Sequence, residues 1–270
     1  MNSEQEYVGL LGLLFRTVNA NEGPLSGNDD RFWYAEGLAT KFLLHAASIL
    51  YLARETKLPD FPTTALKFPD SASIQVLTRA ALETFLTFHY VFFEPKTDDE
   101  KNYRYWAWKL AGLIDRQSFP ASYEDHKQKL KEEGKEINEL IDRIKASAIF
   151  QQLGRKEKKK ILQGDWRLLS WREIGKKTGL SRILSSHVYK HLSGYTHSSW
   201  SSILQIKQSF QEREQALFIS SSMSFITIVG ANLIREYCDL FPRAKAAMTA
   251  DARDSGMVDT WIQIGQELDE

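Results

Sequence analysis

Thiol is almost missing from this 270-residue chain: Cys238 is its one cysteine. That excludes an internal disulfide and any thiolate cluster needing two sulfurs, so no disulfide partner is expected. A reducing compartment fits, and a cytoplasmic location is the expectation. A charge excess of either sign is missing too, with Lys+Arg and Asp+Glu equal at 35 each. No global field therefore draws the chain to nucleic acid or an anionic membrane, and any such contact has to be local. The opening stretch MNSEQEYVGLLGLLF lacks the basic start of a secretory signal and carries Glu4 and Glu6 instead. Internal repeats and low-complexity tracts are absent. Strand-like alternation bounded by turn residues is scarce, which leaves little from which to build a sheet.

Apolar surface, by contrast, is plentiful. Hydrophobic residues make up 43% of the chain, with seven Trp, ten Tyr and fifteen Phe, so a real core is affordable and wholesale disorder is not expected. Ala216 to Ile234 runs 19 residues without a charge, nominally enough to span a bilayer. Six of those residues are Ser, Thr or Asn, and small residues let neighbouring helices approach closely. A buried central helix is expected there, with no membrane partner.

The fold class is all-α: a bundle of long helices forming one domain over 1–270, with a charged helical excursion at about 121–160. Ser3 and Glu6 form a capping box for a first helix to about Asn19. NEGPLSGND reads as a loop, and Asp29 or Asp30 caps a long second helix. A Pro-containing connection, LPDFPTTALKFPDSAS, leads to a third helix from about Ser73 to Glu94, apolar on nearly every face and therefore central. Pro95 ends it, and Thr97 with Glu100 starts the next helix. Residues 121 to 147 form a strongly charged amphipathic helix with Leu130, Ile137, Ile141 and Ile144 on its apolar side. Beyond a basic stretch (RKEKKK) and a short helix from Ser170 comes SRILSSHVYKHLSGYTHSSW. Two long helices to Phe241 follow, and a last one runs from Met257 to about Leu268.

Two places hold chemistry-bearing residues. Arg79 and Glu83, four apart, share a face of the apolar third helix, where charges must pair to be tolerated. They are expected to be buried and bonded to polar residues of the 182–200 segment. In that segment Tyr189, Ser193 and His197 recur every four residues, one stripe if the helix is continuous. His187 and His191 lie on another, about 200° from Tyr189. Three of the chain's six histidines fall in these eleven residues, and histidine is the natural acid or base near neutral pH. The alternative is structural: an ion pair tying helices together, with Tyr189 and His197 bonded inside the core. Gly194 sets the local geometry. If it ends the first helix, Ser198, Ser199 or Ser201 caps the next and His197 occupies a tight corner, ordered and partly exposed. His187 and His191 have chelating spacing, but no acidic ligand lies close and HExxH is absent, so neither a metal nor another cofactor is expected.

The combination of Arg79-x3-Glu83 in an apolar helix, the lead-in WREIGKKTGL, and Tyr189-x3-Ser193-x3-His197 resembles a bacterial, all-α family labelled a domain of unknown function. The likeness spans roughly residues 30 to 240, and that family supplies no activity. More distantly the chain resembles the HEPN superfamily of helical bundles, through Arg182-ILSS-His187, which fits an R-x4–6-H motif. That resemblance implies a metal-independent endoribonuclease or toxin of bacterial stress or phage defence. RNA would be its substrate, and a homodimer would bring two motifs together across a cleft. Two departures stand against it: Ile183 follows the arginine where a polar residue is common, and residues five apart lie about 140° apart on a straight helix. A third resemblance is to a DNA-binding helix-turn-helix over 171–194. There Gly179 would sit in the turn, RILSSHVYKHL would be the recognition helix, and Arg182, Lys190 and RKEKKK would meet phosphates. Ser185, at a position where an aliphatic residue is normally buried, departs from that pattern. A non-catalytic nucleotide- or protein-binding module is the remaining alternative. Of the histidines, His197 is the expected functional one, because spacing of four keeps side chains on one face. A hydroxyl and Glu83 are its expected partners.

Overall fold

A computed structural model describes residues 3–21, 29–54, 56–57, 67–208 and 212–268. The chain is all-α. Helices α1 (Ser3–Asn19), α2 (Asp30–Ala53), α3 (Ser71–Phe88), α4 (Asp98–Gln117), α5 (Glu124–Ala146), α6 (Ala148–Gln152) and α7 (Arg155–Leu162) cover the first part. Then come α8 (Trp171–Gly175), α9 (Tyr189–Thr196), α10 (Trp200–Gln208), α11 (Glu212–Leu240), α12 (Pro242–Thr249) and α13 (Ala252–Glu267). Two wide π-helical turns, His89–Phe93 and Ile183–Val188, extend the end of α3 and lead into α9. Among the described residues the extended structure is a two-residue antiparallel pairing of Thr56–Lys57 with Lys67–Phe68. Most of the NEGPLSGND loop and of the Pro-containing connection, and the Ser3 side chain, lie outside the described residues.

Helix starts follow local chemistry. Asp29 accepts a bond from the Arg31 N–H, and Thr97 and Glu100 form the reciprocal capping box. Helix α3 begins at Ser71, earlier than its apolar pattern indicates, because Asp70 caps it, accepting from the Ser73 N–H at 2.9 Å. After Phe241 the chain forms α12 with Pro242 in its first turn, and α13 opens on an Asp251 cap, so the last helical stretch is a pair.

The contacts divide the chain into two compact units, residues 1–89 with 171–270, and residues 90–170. In the first, α11 packs against α1, α3 and α13, and α2 lies along α3. Phe42, Phe85, Ile226, Val229 and Leu233 are fully buried in its core. Gly230 is where three helices meet: a Cβ there would stand 2.6 Å from Leu10 Cδ2 and 3.3 Å from the Phe42 ring. Close approach accounts for the small residues of α11. The helix is long and apolar enough to cross a membrane, and 72% of its most apolar window is buried inside the protein. Cys238, on the same helix, is 1% exposed, and burial pushes its thiol up to about 12. At pH 8 the native protein is expected to resist a thiol-reactive dye, then to react with one equivalent in guanidinium. Fast native labelling would show that α11 opens.

The second unit has its own core of Tyr103, Ala107, Leu110, Leu140, Ile144, Phe150 and Ile161. The charged 121–160 stretch lies within it. Ile137 and Ile141 pack against that core, as the amphipathic pattern of α5 predicts. Arg104 stands 4.2 Å above the Tyr90 ring and pairs with Glu94, fastening the start of the unit to α4.

Candidate functional site

Four of the residues singled out by spacing converge in the first unit. Arg79 and Glu83 share a face of α3 and bond directly, Nε to Oε1, at 3.0 Å. Tyr189, the first residue of α9, donates its hydroxyl to the same Glu83 oxygen at 3.0 Å and accepts from Arg79 Nη2 at 3.3 Å. The guanidinium carbon lies 5.4 Å from the centre of the Tyr189 ring. Arg79 Nη1 faces His197 Nε2 at 3.4 Å. An arginine can only donate, so this contact is a hydrogen bond for the tautomer whose proton sits on Nδ1.

Burial differs from the expectation. The Arg79 side chain is 14% exposed, but Glu83 keeps 30% and His197 is exposed. Both Glu83 bonds fall on one oxygen, Oε1. The partners of His197 also differ. His197 meets Arg79 Nη1, while Glu83 Oε1 accepts from Arg79 Nε and the Tyr189 hydroxyl.

The corner that places His197 is visible in the backbone. Helix α9 runs past Gly194 to Thr196, and Ser198 then adopts φ +50, which ends it. Ser199 caps α10 by accepting from the Ser202 N–H at 3.3 Å. Gly194 allows the fold-back: a Cβ there would stand 2.8 Å from Ser199 Oγ, and the Gly194 carbonyl accepts the Ser199 N–H at 2.9 Å. His197 is thus held in a tight interhelical corner and open to solvent. Ser193 is half-buried and contributes its carbonyl, which accepts the His197 N–H at 3.2 Å. Its hydroxyl is not among the groups that meet Arg79.

Arg182 and His187 flank and occupy the π-helical turn Ile183–Val188, and both are exposed. On a straight α-helix they diverge, but an i→i+5 turn stacks residues five apart, so the geometric objection to the pair is removed. Among the described residues His187 makes no side-chain bond to the Arg79 cluster. His191 takes a third direction. Its ring lies edge-on to Phe218 at 5.9 Å and lines a cleft of about 450 Å³ with Gln75, Thr78, Val188 and Leu192. Burial lowers its pKa. Gly179 has φ +76, as a turn requires, and Ser185 is buried against Gly175, where an added Cβ would be 3.1 Å away. Small size, not aliphatic packing, lets the turn approach α8. Among the described residues no group of three or more His, Cys, Asp or Glu is placed to hold a metal ion.

Electrostatics sort the cluster into roles. Burial pushes the Tyr189 phenol up, the Glu83 carboxylate adds to this, and Arg79 opposes it. Burial pulls Arg79 down, but Glu83 and Tyr189 outweigh it and hold the guanidinium up. At neutral pH the site therefore presents a fixed cation and a protonated phenol, with an imidazole at the rim. Because the folded phenol titrates above its unfolded value, its contribution to stability is fully present below about pH 10 and is lost as pH rises through the folded value. Alkaline unfolding should show that loss in the wild type and lack it in Tyr189→Phe. Identical profiles would remove Tyr189 from the network.

The sequence profile of a family of unknown function, DUF5677, matches residues 33–215. The chain belongs to that family. All seven candidate residues of this DUF5677 protein fall within the matched span, as does the whole second unit. No curated protein and no solved structure matches the chain. One buried pair of the DUF5677 chain escaped notice in the sequence: His89 Nδ1 lies 2.7 Å from Glu236 Oε1, with both side chains under 10% exposed. The partners are 147 residues apart, and neither residue has a local spacing that points to the other.

Proposed function

We propose that this DUF5677 protein is a HEPN-like ribonuclease that cleaves RNA by proton transfer at His197, with Arg79 stabilising the phosphate. The supporting observation is the 3.4 Å approach of Arg79 Nη1 to His197 Nε2 at the exposed rim of a network otherwise fastened from within. Inward, Glu83 and Tyr189 fix the guanidinium, so its position costs little to maintain when substrate arrives. Outward, a phosphate oxygen inserted at the long contact takes the Nη1 hydrogen and frees Nε2. The imidazole then accepts the proton of the RNA 2′-hydroxyl, whose oxygen forms a bond to phosphorus as the bond to the 5′-oxygen breaks. That leaving oxygen takes a proton from the imidazolium or from water. The products are a 2′,3′-cyclic phosphate and a 5′-hydroxyl.

The test is incubation of purified protein with single-stranded RNA in the presence of EDTA, followed by analysis of the product ends. Cyclic phosphate termini are expected. Intact RNA, or 3′-hydroxyl and 5′-phosphate products, would remove this mechanism.

A second reading, a module that binds a nucleotide phosphate without turnover, draws on a specific observation. All three guanidinium nitrogens of Arg79 are already engaged, and the phenol of Tyr189 is held protonated. Binding of RNA without cleavage by the folded protein would favour it.

A further inference from the structure

The end of α4 and the start of α5, within the second unit, frame a cleft of about 330 Å³. Its walls are Arg116, Phe119, Pro120, His126, Lys129 and Leu130. Gln117 ties the two helices together by donating to the Leu130 carbonyl at 3.0 Å. Two properties set it apart. Phe119 is 66% exposed and the adjacent Tyr123 is 72% exposed, although both are large rings in a unit that buries Tyr103 and Phe150. The ionisable groups in its walls are of basic type, and no carboxylate lines it. Arg116 is anchored from below by Glu133, Nη2 to Oε1 at 3.0 Å, which orders the guanidinium at the rim. Tyr123 lies edge-on to His126 at 5.7 Å. A bare aromatic face beside cationic side chains is the pairing that holds single-stranded nucleic acid, where bases stack and phosphates seek charge.

We propose that this cleft binds single-stranded RNA, stacking a base on Phe119 and placing the neighbouring phosphate between Arg116 and Lys129. The neutral net charge of the chain is consistent with a contact confined to one patch. The inference rests on RNA being the substrate, but it names a site separate from the His197 cluster, so the two are separable by experiment. Tyr123 offers a second ring for the next base along the strand.

Fluorescence anisotropy of the full chain with a 5′-labelled ten-nucleotide RNA tests this, using His197→Ala so that the probe stays intact. Phe119→Ala is expected to weaken binding about tenfold. Lys129→Gln is expected to weaken it and to lower the slope of log affinity against log salt by about 0.7. Both side chains are exposed, so both variants should melt with the parent. With His197 restored, Phe119→Ala should raise KM for RNA and leave kcat unchanged, whereas failure of the proposed chemistry would show as no cleavage with binding intact. Wild-type affinity in both variants, or no binding by the parent, would overturn the inference. So would a mononucleotide that binds as tightly as the oligomer, which would assign the cleft to free nucleotides.

Discussion

Replacing His197 with alanine is expected to lower RNA cleavage by about 10²–10⁴-fold, the usual contribution of a positioned general acid or base. The loss should fall on kcat, since His197 is exposed and the substitution removes a proton-transfer group rather than a packed one. Its removal leaves Arg79 with Glu83 and Tyr189, so melting should shift little. A variant that unfolds would instead indicate that the corner after α9 needs the imidazole for structure. Circular dichroism beside the cleavage assay separates the two.

Glu83→Ala acts through the opposite route. It takes away the acceptor shared by Arg79 Nε and the Tyr189 hydroxyl, and leaves the largely buried guanidinium beside a phenol. Fully buried ion pairs cost about 3–5 kcal/mol when one partner is removed, and exposed ones about 0–1. With Arg79 at 14% exposure and Glu83 at 30%, the expected loss lies between, at about 1–3 kcal/mol. Urea denaturation of Glu83→Ala, Tyr189→Phe and the double variant measures this. A coupling above about 0.5 kcal/mol is expected from residues sharing one network. Additive effects would mean that the two do not act together.

What could be read in advance follows from the range of each signal. Helix capping at Thr97 and the apolar face of α5 are local, and both appear in the structure as their spacing requires. The Arg79, Glu83, Tyr189 and His197 grouping crosses more than 100 residues, yet it was legible because charges on an apolar helix must find partners. What was not legible depended on backbone detail. The π-helical turn at Ile183–Val188 changes which side chains stack, and nothing in the residue types announces it. The break after α9 falls at Ser198 rather than Gly194, because the glycine is needed for close approach to Ser199 and not for its dihedral freedom.

Side-by-side cleavage assays of His187→Ala and His197→Ala, both confirmed folded, test the central claim most directly. The account predicts that His197→Ala loses activity by at least 100-fold while His187→Ala retains it. Loss in His187→Ala with activity kept in His197→Ala would contradict the account and move the chemistry to the π-helical turn with Arg182.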